Sequence, residues 1–158
     1  MTNIRPLGLP RQSPKKQTRG LALGQSLTEF ALVLPILMLV IGGIIQFGII
    51  FWGQNTLNQI VRDTGRWAAT QTQCTDAAPI IATADSIANQ SSLIGFSGSF
   101  PVGDVVVTWT GAPCPPSDNQ DVAWVDITID HTVPIFFPWV PGNGDLSSST
   151  EFRMEPEP

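Results

Sequence analysis

Residues 30–52 form an uninterrupted apolar run in which Gln46 is the one strongly polar side chain. A helix over these 23 residues is roughly 35 Å long at about 1.5 Å per residue, enough to cross a hydrocarbon core of about 30 Å. The run exceeds the apolar core of roughly 7–15 residues found in a cleaved secretory signal. A chain carrying it is expected to cross a membrane once.

The upstream edge of the run is unusual. Gly24 is followed five residues later by Glu29, and Phe30 opens the apolar stretch at once. A carboxylate in a membrane helix costs up to about 2.5–3.5 kcal/mol at mid-bilayer and less near the interface. Helix capping is one reason to keep it. Ser26-Leu27-Thr28-Glu29 reads as a capping box with Ser26 at the N-cap and Glu29 at N3, and a negative charge there suits the positive end of the helix dipole.

Resemblance supplies a second reason. A basic leader ending in Gly, four further residues, then Glu-Phe and a long apolar run is similar to the processing motif of type IV prepilins. The stretch 25–35 (QSLTEFALVLP) resembles the opening block of the TadE-like pseudopilins of the tight-adherence (Flp pilus) system. Residues 58–69 (NQIVRDTGRWAA) resemble that family's basic, alanine-ending helix. The likeness is close over residues 24–69 and holds only in outline beyond them.

The resemblance implies cleavage by a prepilin peptidase after Gly24, between Gly24 and Gln25, on the cytoplasmic side of a bacterial inner membrane. The new amine would lie one helical turn from Glu29, or reach the Glu29 of a neighbouring subunit. An amine and a carboxylate paired in lipid cost far less than either alone. Glu29, with Phe30 beside it, would then set the axial register of one subunit against the next. The implied partners are the peptidase, other pilins or pseudopilins, and the pilus assembly machinery in the membrane. The implied activity is assembly, not turnover. The competing expectation is an uncleaved single-pass anchor carrying an extracytoplasmic binding module.

Charge gives the orientation. Arg5, Arg11, Lys15, Lys16 and Arg19 precede Gly24 with no acid among them, whereas three basic and twelve acidic residues follow Trp52. Positive charge marks the cytoplasmic side, so residues 54–158 are expected outside. Residues 1–24, with three prolines and three glycines, show no apolar periodicity and are expected to be disordered or cleaved off. Their basic charge suits anionic lipid and orientation better than nucleic acid, which is not expected as a partner.

Within the span (expected over residues 25–53), Pro35 removes one backbone donor and predicts a kink. Gly42, Gln46, Ile49 and Gly53 share a face, which predicts a helix-packing surface where small residues permit close approach and an amide bonds across the contact. Ordinary tolerance of glycine in membrane helices is the alternative. The resembled family commonly has an acidic residue where Gln46 stands, so a second intramembrane charge pairing is not expected here.

The helix is expected to continue outside the membrane. Leu57, Ile60, Val61, Thr64, Trp67 and Ala68 recur at helical spacing and predict an amphipathic outer half. Arg62 and Arg66 lie on the opposite face, as solvated charges or as a docking surface for an acidic partner. Residues 76–90 read as a short second helix capped by Asp76, with Pro79 in its first turn. Three strands follow: 105–110 ended by Gly111, 122–133 with Ala123, Val125, Ile127, Ile129, His131 and Val133 on the core face, and 146–154. The expected fold is α+β and pilin-like: one long N-terminal helix, a second short helix and about three antiparallel strands.

Cys74 and Cys114 lie outside by the charge argument. Two cysteines in an oxidising compartment read as one disulfide, and a metal site lacks ligands in a chain with a single His. Residues 134–141 (PIFFPWVP) are apolar but broken by three prolines. They are either an exposed patch for a partner or membrane, or a loop folded over the core. No catalytic residues, cofactor or metal are expected. His131 and Asp130 point to opposite faces of their strand, and Asp126 and Asp130 sit about 13–14 Å apart along it. Asp118 and Asp121 flank Asn119 as a weak calcium possibility without the EF-hand spacing.

Overall fold

The computed structural model describes residues 19–71, 73–91, 93–111, 114, 116, 122–139 and 143–155, with side chains from Gly24 onward. Contacts divide the chain into two units, Met1–Met38 and Leu39–Pro158. The fold is α+β, in the order α1 (Arg19–Ala68), α2 (Ala78–Ser91), β1 (Val105–Gly111), β2 (Ala123–Thr132) and β3 (Asp145–Arg153).

In the first unit, the described residues are helical, and Pro35 lies inside α1 without ending it. The helix begins at Arg19, before Gly24, although the prolines and glycines of residues 1–24 led us to expect no regular structure there. The run Leu21-Ala22-Leu23 consists of strong helix formers and continues the helix backwards from the span. The other leader residues, 1–18, lie outside the described residues.

In the second unit, β2 is the centre of a three-stranded antiparallel sheet of order β1-β2-β3. Val105 pairs with Ile129 and Gly111 with Ala123 on one side. His131 pairs with Leu146 and Trp124 with Arg153 on the other. The period-two pattern of residues 122–133 makes this sheet one-faced. Ala123, Val125, Ile127, Ile129, His131 and Val133 are buried, whereas Trp124, Asp130 and Thr132 are exposed. Gly111 ends β1 with φ at 94°, a conformation that favours glycine, and an added Cβ there would collide with the carbonyl oxygen of Val122.

The buried face meets two helices. Leu57, Ile60, Val61, Thr64 and Ala68 of α1 and Ile80, Ala84 and Ala88 of α2 join it in one core. Trp67 differs from expectation. It is exposed because it sits at the edge of the apolar stripe, one turn from Thr64 but turned away from its centre. Gly65 is buried in its place. A Cβ at Gly65 would stand 2.5 Å from the Phe152 ring and 3.1 Å from Thr150 Cγ2, so the Phe152 side chain packs directly on the α1 backbone.

α2 starts two residues later than residues 76–90 suggest. Asp76 still accepts the Ala78 N–H at 2.9 Å, satisfying a first-turn donor, and Pro79 occupies the second helical position. Asp85 accepts the Phe100 N–H at 2.9 Å, and Asn89 donates to the Gly98 carbonyl at 3.1 Å. These bonds hold the loop between α2 and β1 on the helix. Cys74 and Cys114 are disulfide-bonded with Cα atoms 5.9 Å apart. Their sulfurs lie 3.6 and 3.4 Å from Met154 Sδ. The bond ties the α1–α2 connection to the β1–β2 connection, and both sulfurs pack against Met154 just after β3.

Gly65→Ala is expected to destabilise the protein by about 1–3 kcal/mol, the usual cost of forcing a methyl into a packed contact. Thermal denaturation in detergent should show a lower midpoint. Adding Phe152→Leu should recover part of the loss, because the two sites share one contact. Gly48→Ala, where an added Cβ meets nothing within 4 Å, should lower the midpoint not at all.

Candidate functional site

Two polar groups interrupt the apolar surface of α1, and their surroundings differ. The first lies in the N-terminal unit. Gln25 and Glu29 are one helical turn apart, and Gln25 Nε2 donates to Glu29 Oε1 at 3.3 Å. Thr28 Oγ1 donates back to the Gln25 carbonyl at 2.7 Å. Glu29 and Phe30 are both exposed. The capping-box explanation of Glu29 does not hold in the intact chain. α1 begins at Arg19, which leaves Ser26 well inside the helix instead of at its N-cap. Gly24 also has no packing reason to be glycine, since an added Cβ would meet nothing within 4 Å. Inside a helix, glycine costs about 0.5–1 kcal/mol relative to alanine.

The second lies in the C-terminal unit. Gln46 is only 2% exposed. Its Oε1 accepts the Phe136 N–H at 2.9 Å, and its Nε2 donates to the Pro134 carbonyl at 3.4 Å. The small residues on the same face admit the same segment. A Cβ at Gly42 would stand 3.1 Å from Phe137 Cδ1, and one at Gly53 would stand 2.9 Å from Leu146 Cδ1 and 3.0 Å from Val133 Cγ1. The face Gly42–Gln46–Gly53 is therefore covered by residues 133–137 and Leu146 of its own chain. Between this loop and the sheet, Gln54 Nε2 donates to the Ser147 carbonyl at 3.0 Å and Ser148 Oγ to Asn58 Oδ1 at 2.6 Å.

The loop itself is half in and half out. Val133 is buried and the Phe137 ring is half-buried over Gly42. The Phe137 ring packs edge-on to Trp139, with centroids 5.5 Å apart. Ile135, Phe136 and Trp139 face outward. Val140 and Pro141 lie outside the described residues.

The rest of the surface offers little chemistry. His131 is buried, with Nε2 2.9 Å from the Ile94 carbonyl. The Phe100 ring packs edge-on to it, with centroids 6.1 Å apart. It is a hydrogen-bonded core side chain. Among the described residues, no group of three or more His, Cys, Asp or Glu is placed to hold a metal. The Asp118 and Asp121 calcium possibility lies outside the described residues. Arg62 and Arg66 are exposed beside Asn55, Asn58, Gln59 and Asp63, which together line a shallow concavity of about 410 Å³.

α1 contains the one stretch among the described residues, Gly24–Ala68, that is long and apolar enough to cross a membrane. It begins at the glycine before Gln25-Ser26-Leu27-Thr28-Glu29-Phe30. Residues 24–66 match the TadE-like protein family. The match takes in the Gly24–Glu29–Phe30 set, the apolar span and most of the outer half of α1. The sheet lies outside it. No curated protein and no solved structure matches the chain. The match covers residues 24–66 of the 158, and α1 fits a single-pass membrane anchor by length and composition.

Sequence reasoning identified the Gly42–Gln46–Gly53 face but not what covers it. The signal was present as two separate anomalies: one amide in an apolar helix, and one apolar loop without regular backbone pairing. Each supplies what the other lacks. Gln46→Leu should leave the Phe136 N–H and the Pro134 carbonyl without their Gln46 partner and loosen the loop on α1, an intramolecular hydrogen bond contributing about 0.5–1.5 kcal/mol. Hydrogen exchange at the Phe136 amide should accelerate, while amides of β2 keep their protection.

Proposed function

We propose that this chain is a pseudopilin-like membrane subunit that takes part in assembling a tight-adherence (Flp-type) pilus. A prepilin peptidase cleaves it between Gly24 and Gln25. The observation that carries the reading is the family match, which opens on Gly24 and includes Glu29 and Phe30. Three features of the N-terminal unit support it. Gly24 is free of packing demands, Glu29 is exposed on an apolar helix, and Gln25 lies one turn away.

Cleavage would place a new α-amine on Gln25, in reach of its own Glu29 or that of a neighbour. In a bilayer that pairing fixes one subunit's height against the next, because sliding by a turn would strand both charges. The five cations before Gly24 hold that end in the cytoplasm, and the acidic residues 54–158 lie on the far side of the bacterial inner membrane. Other pilins or pseudopilins and the assembly machinery are the partners, and the protein works as a structural subunit without turnover.

An uncleaved anchor bearing a binding module is the second reading. It is favoured by the continuity of α1 through Gly24, since leader and span form one helix from Arg19.

The N-terminal sequence and intact mass of the protein from native membranes separate the two. A start at Gln25 that disappears when the prepilin peptidase is deleted is expected. A chain that keeps residues 1–24 beside an active peptidase would leave only the anchor reading. Glu29→Ala should still insert into the membrane and still be cut, but abolish piliation and crosslinking to neighbouring subunits. Normal piliation in that variant would remove Glu29 from the assembly mechanism.

A further inference from the structure

The loop 134–139 is held on the part of α1 that lies within the apolar run. Gln46 is six residues below Trp52, which is roughly 9 Å along a helix. The run 30–52 exceeds a hydrocarbon core of about 30 Å by only a few Å. The level of Gln46 therefore falls inside the bilayer, near the headgroup–acyl boundary. Interfacial elements commonly bury their apolar faces about 5–10 Å into that boundary.

The loop is chemically suited to that depth. Ile135, Phe136 and Trp139 are 43%, 59% and 58% exposed, and residues 133–139 carry no charge. At the same axial levels, α1 exposes Ile44, Phe47 and Phe51. The apolar belt of the helix thus continues onto the loop. Trp is the side chain enriched at membrane interfaces.

Irregular backbone is not tolerated in lipid unless its polar groups are satisfied. Pro134 and Pro138 have no N–H to satisfy. Gln46 takes up the Phe136 N–H and the Pro134 carbonyl, and the Val133 N–H bonds to the Gly144 carbonyl at 2.9 Å. The chain itself therefore serves the Phe136 N–H, the Pro134 carbonyl and the Val133 N–H, where water would serve them in an ordinary loop.

We propose that residues 134–139 form a second membrane-seated element, which inserts Ile135, Phe136 and Trp139 among the lipids of the leaflet that contains Gln46. Gln46 is the positioning residue that holds this wedge against the helix. The acidic C-terminal unit is then fixed to the bilayer at two points, the span and the wedge. This restricts its tilt and its rotation about α1. The inference rests on the reading that α1 spans a bilayer.

The test uses the full chain in phosphatidylcholine–phosphatidylglycerol vesicles. Phe136→Cys, Phe47→Cys and Ser149→Cys variants each carry one environment-sensitive fluorophore, the native cysteines being disulfide-bonded. Spin-labelled lipids and aqueous iodide serve as quenchers. The probes at 136 and 47 should be quenched by the lipid label and protected from iodide, and the probe at 149 should behave in the opposite way. Iodide quenching at 136 with lipid quenching at 47 would overturn the wedge and leave the span standing. Protection of 136 from both quenchers would mean that protein, such as a second copy of the chain, covers the loop, and would also overturn the proposal. Failure of the lipid label to reach 47 would remove the span, and the wedge with it. Adding Gln46→Leu should abolish lipid quenching at 136 while that at 47 persists. An unchanged signal at 136 would strip Gln46 of its positioning role.

Discussion

A three-stranded sheet with one apolar face holds together in water only if something covers that face. Here the cover is the outer half of α1, with α2 beside it. The arrangement depends on how near β3 can come to the helix. Gly65 under Phe152 and Gly53 under Leu146 and Val133 leave room on the helix for those side chains. Leu57, Ile60, Val61 and Thr64 then fill the space against β2. The same element that is apolar all round within the membrane is apolar on one stripe above it, and the C-terminal unit is built on that stripe.

The transition between the two regimes falls at residues 42–53. Below them a helix may be apolar on every side, because lipid surrounds it. Above them it must be amphipathic. Within them one face is occupied by the chain's own loop, and the polar group that would be costly in lipid is bonded on both its oxygen and its nitrogen. Glycines on one face of a membrane helix, here Gly42 and Gly53, are often read as a surface for a second helix. The physical requirement they meet is close approach, and a loop without bulky obstruction meets it as well as a helix does.

The elements whose signals are local were legible in the sequence. The alternation of residues 122–133 gave β2 and its buried face, and the 3.6-residue period of residues 57–68 gave the core stripe of α1, with Trp67 misplaced at its edge. Asp76 and Pro79 placed the start of α2 to within two residues. What was not legible depends on distance along the chain. Gln46 and Pro134 are 88 residues apart, and no periodicity within either segment names the other. Gly65 was passed over because a glycine on an amphipathic helix looks neutral until the ring above it is known. The capping box around Ser26 failed for the opposite reason. The local pattern was sound, but Leu21-Ala22-Leu23 carried the helix past the point where a cap could act.

The contrast between Gln46 and Glu29 bears on the assembly role proposed above. A polar group in a membrane helix promotes association only while its bonding capacity is unmet within its own chain. Gln46 is buried and engaged through both ends of its amide, so it stabilises the subunit. Glu29 is exposed and accepts a bond from the Gln25 side-chain amide at 3.3 Å. Under the proposed cleavage, the new amine on Gln25 would lie one turn below it as a complement to the carboxylate. Under the proposed function, the Gln25–Glu29 end of α1 is the one that would engage a neighbour, whereas the Gly42–Gln46–Gly53 face is covered by residues of its own chain.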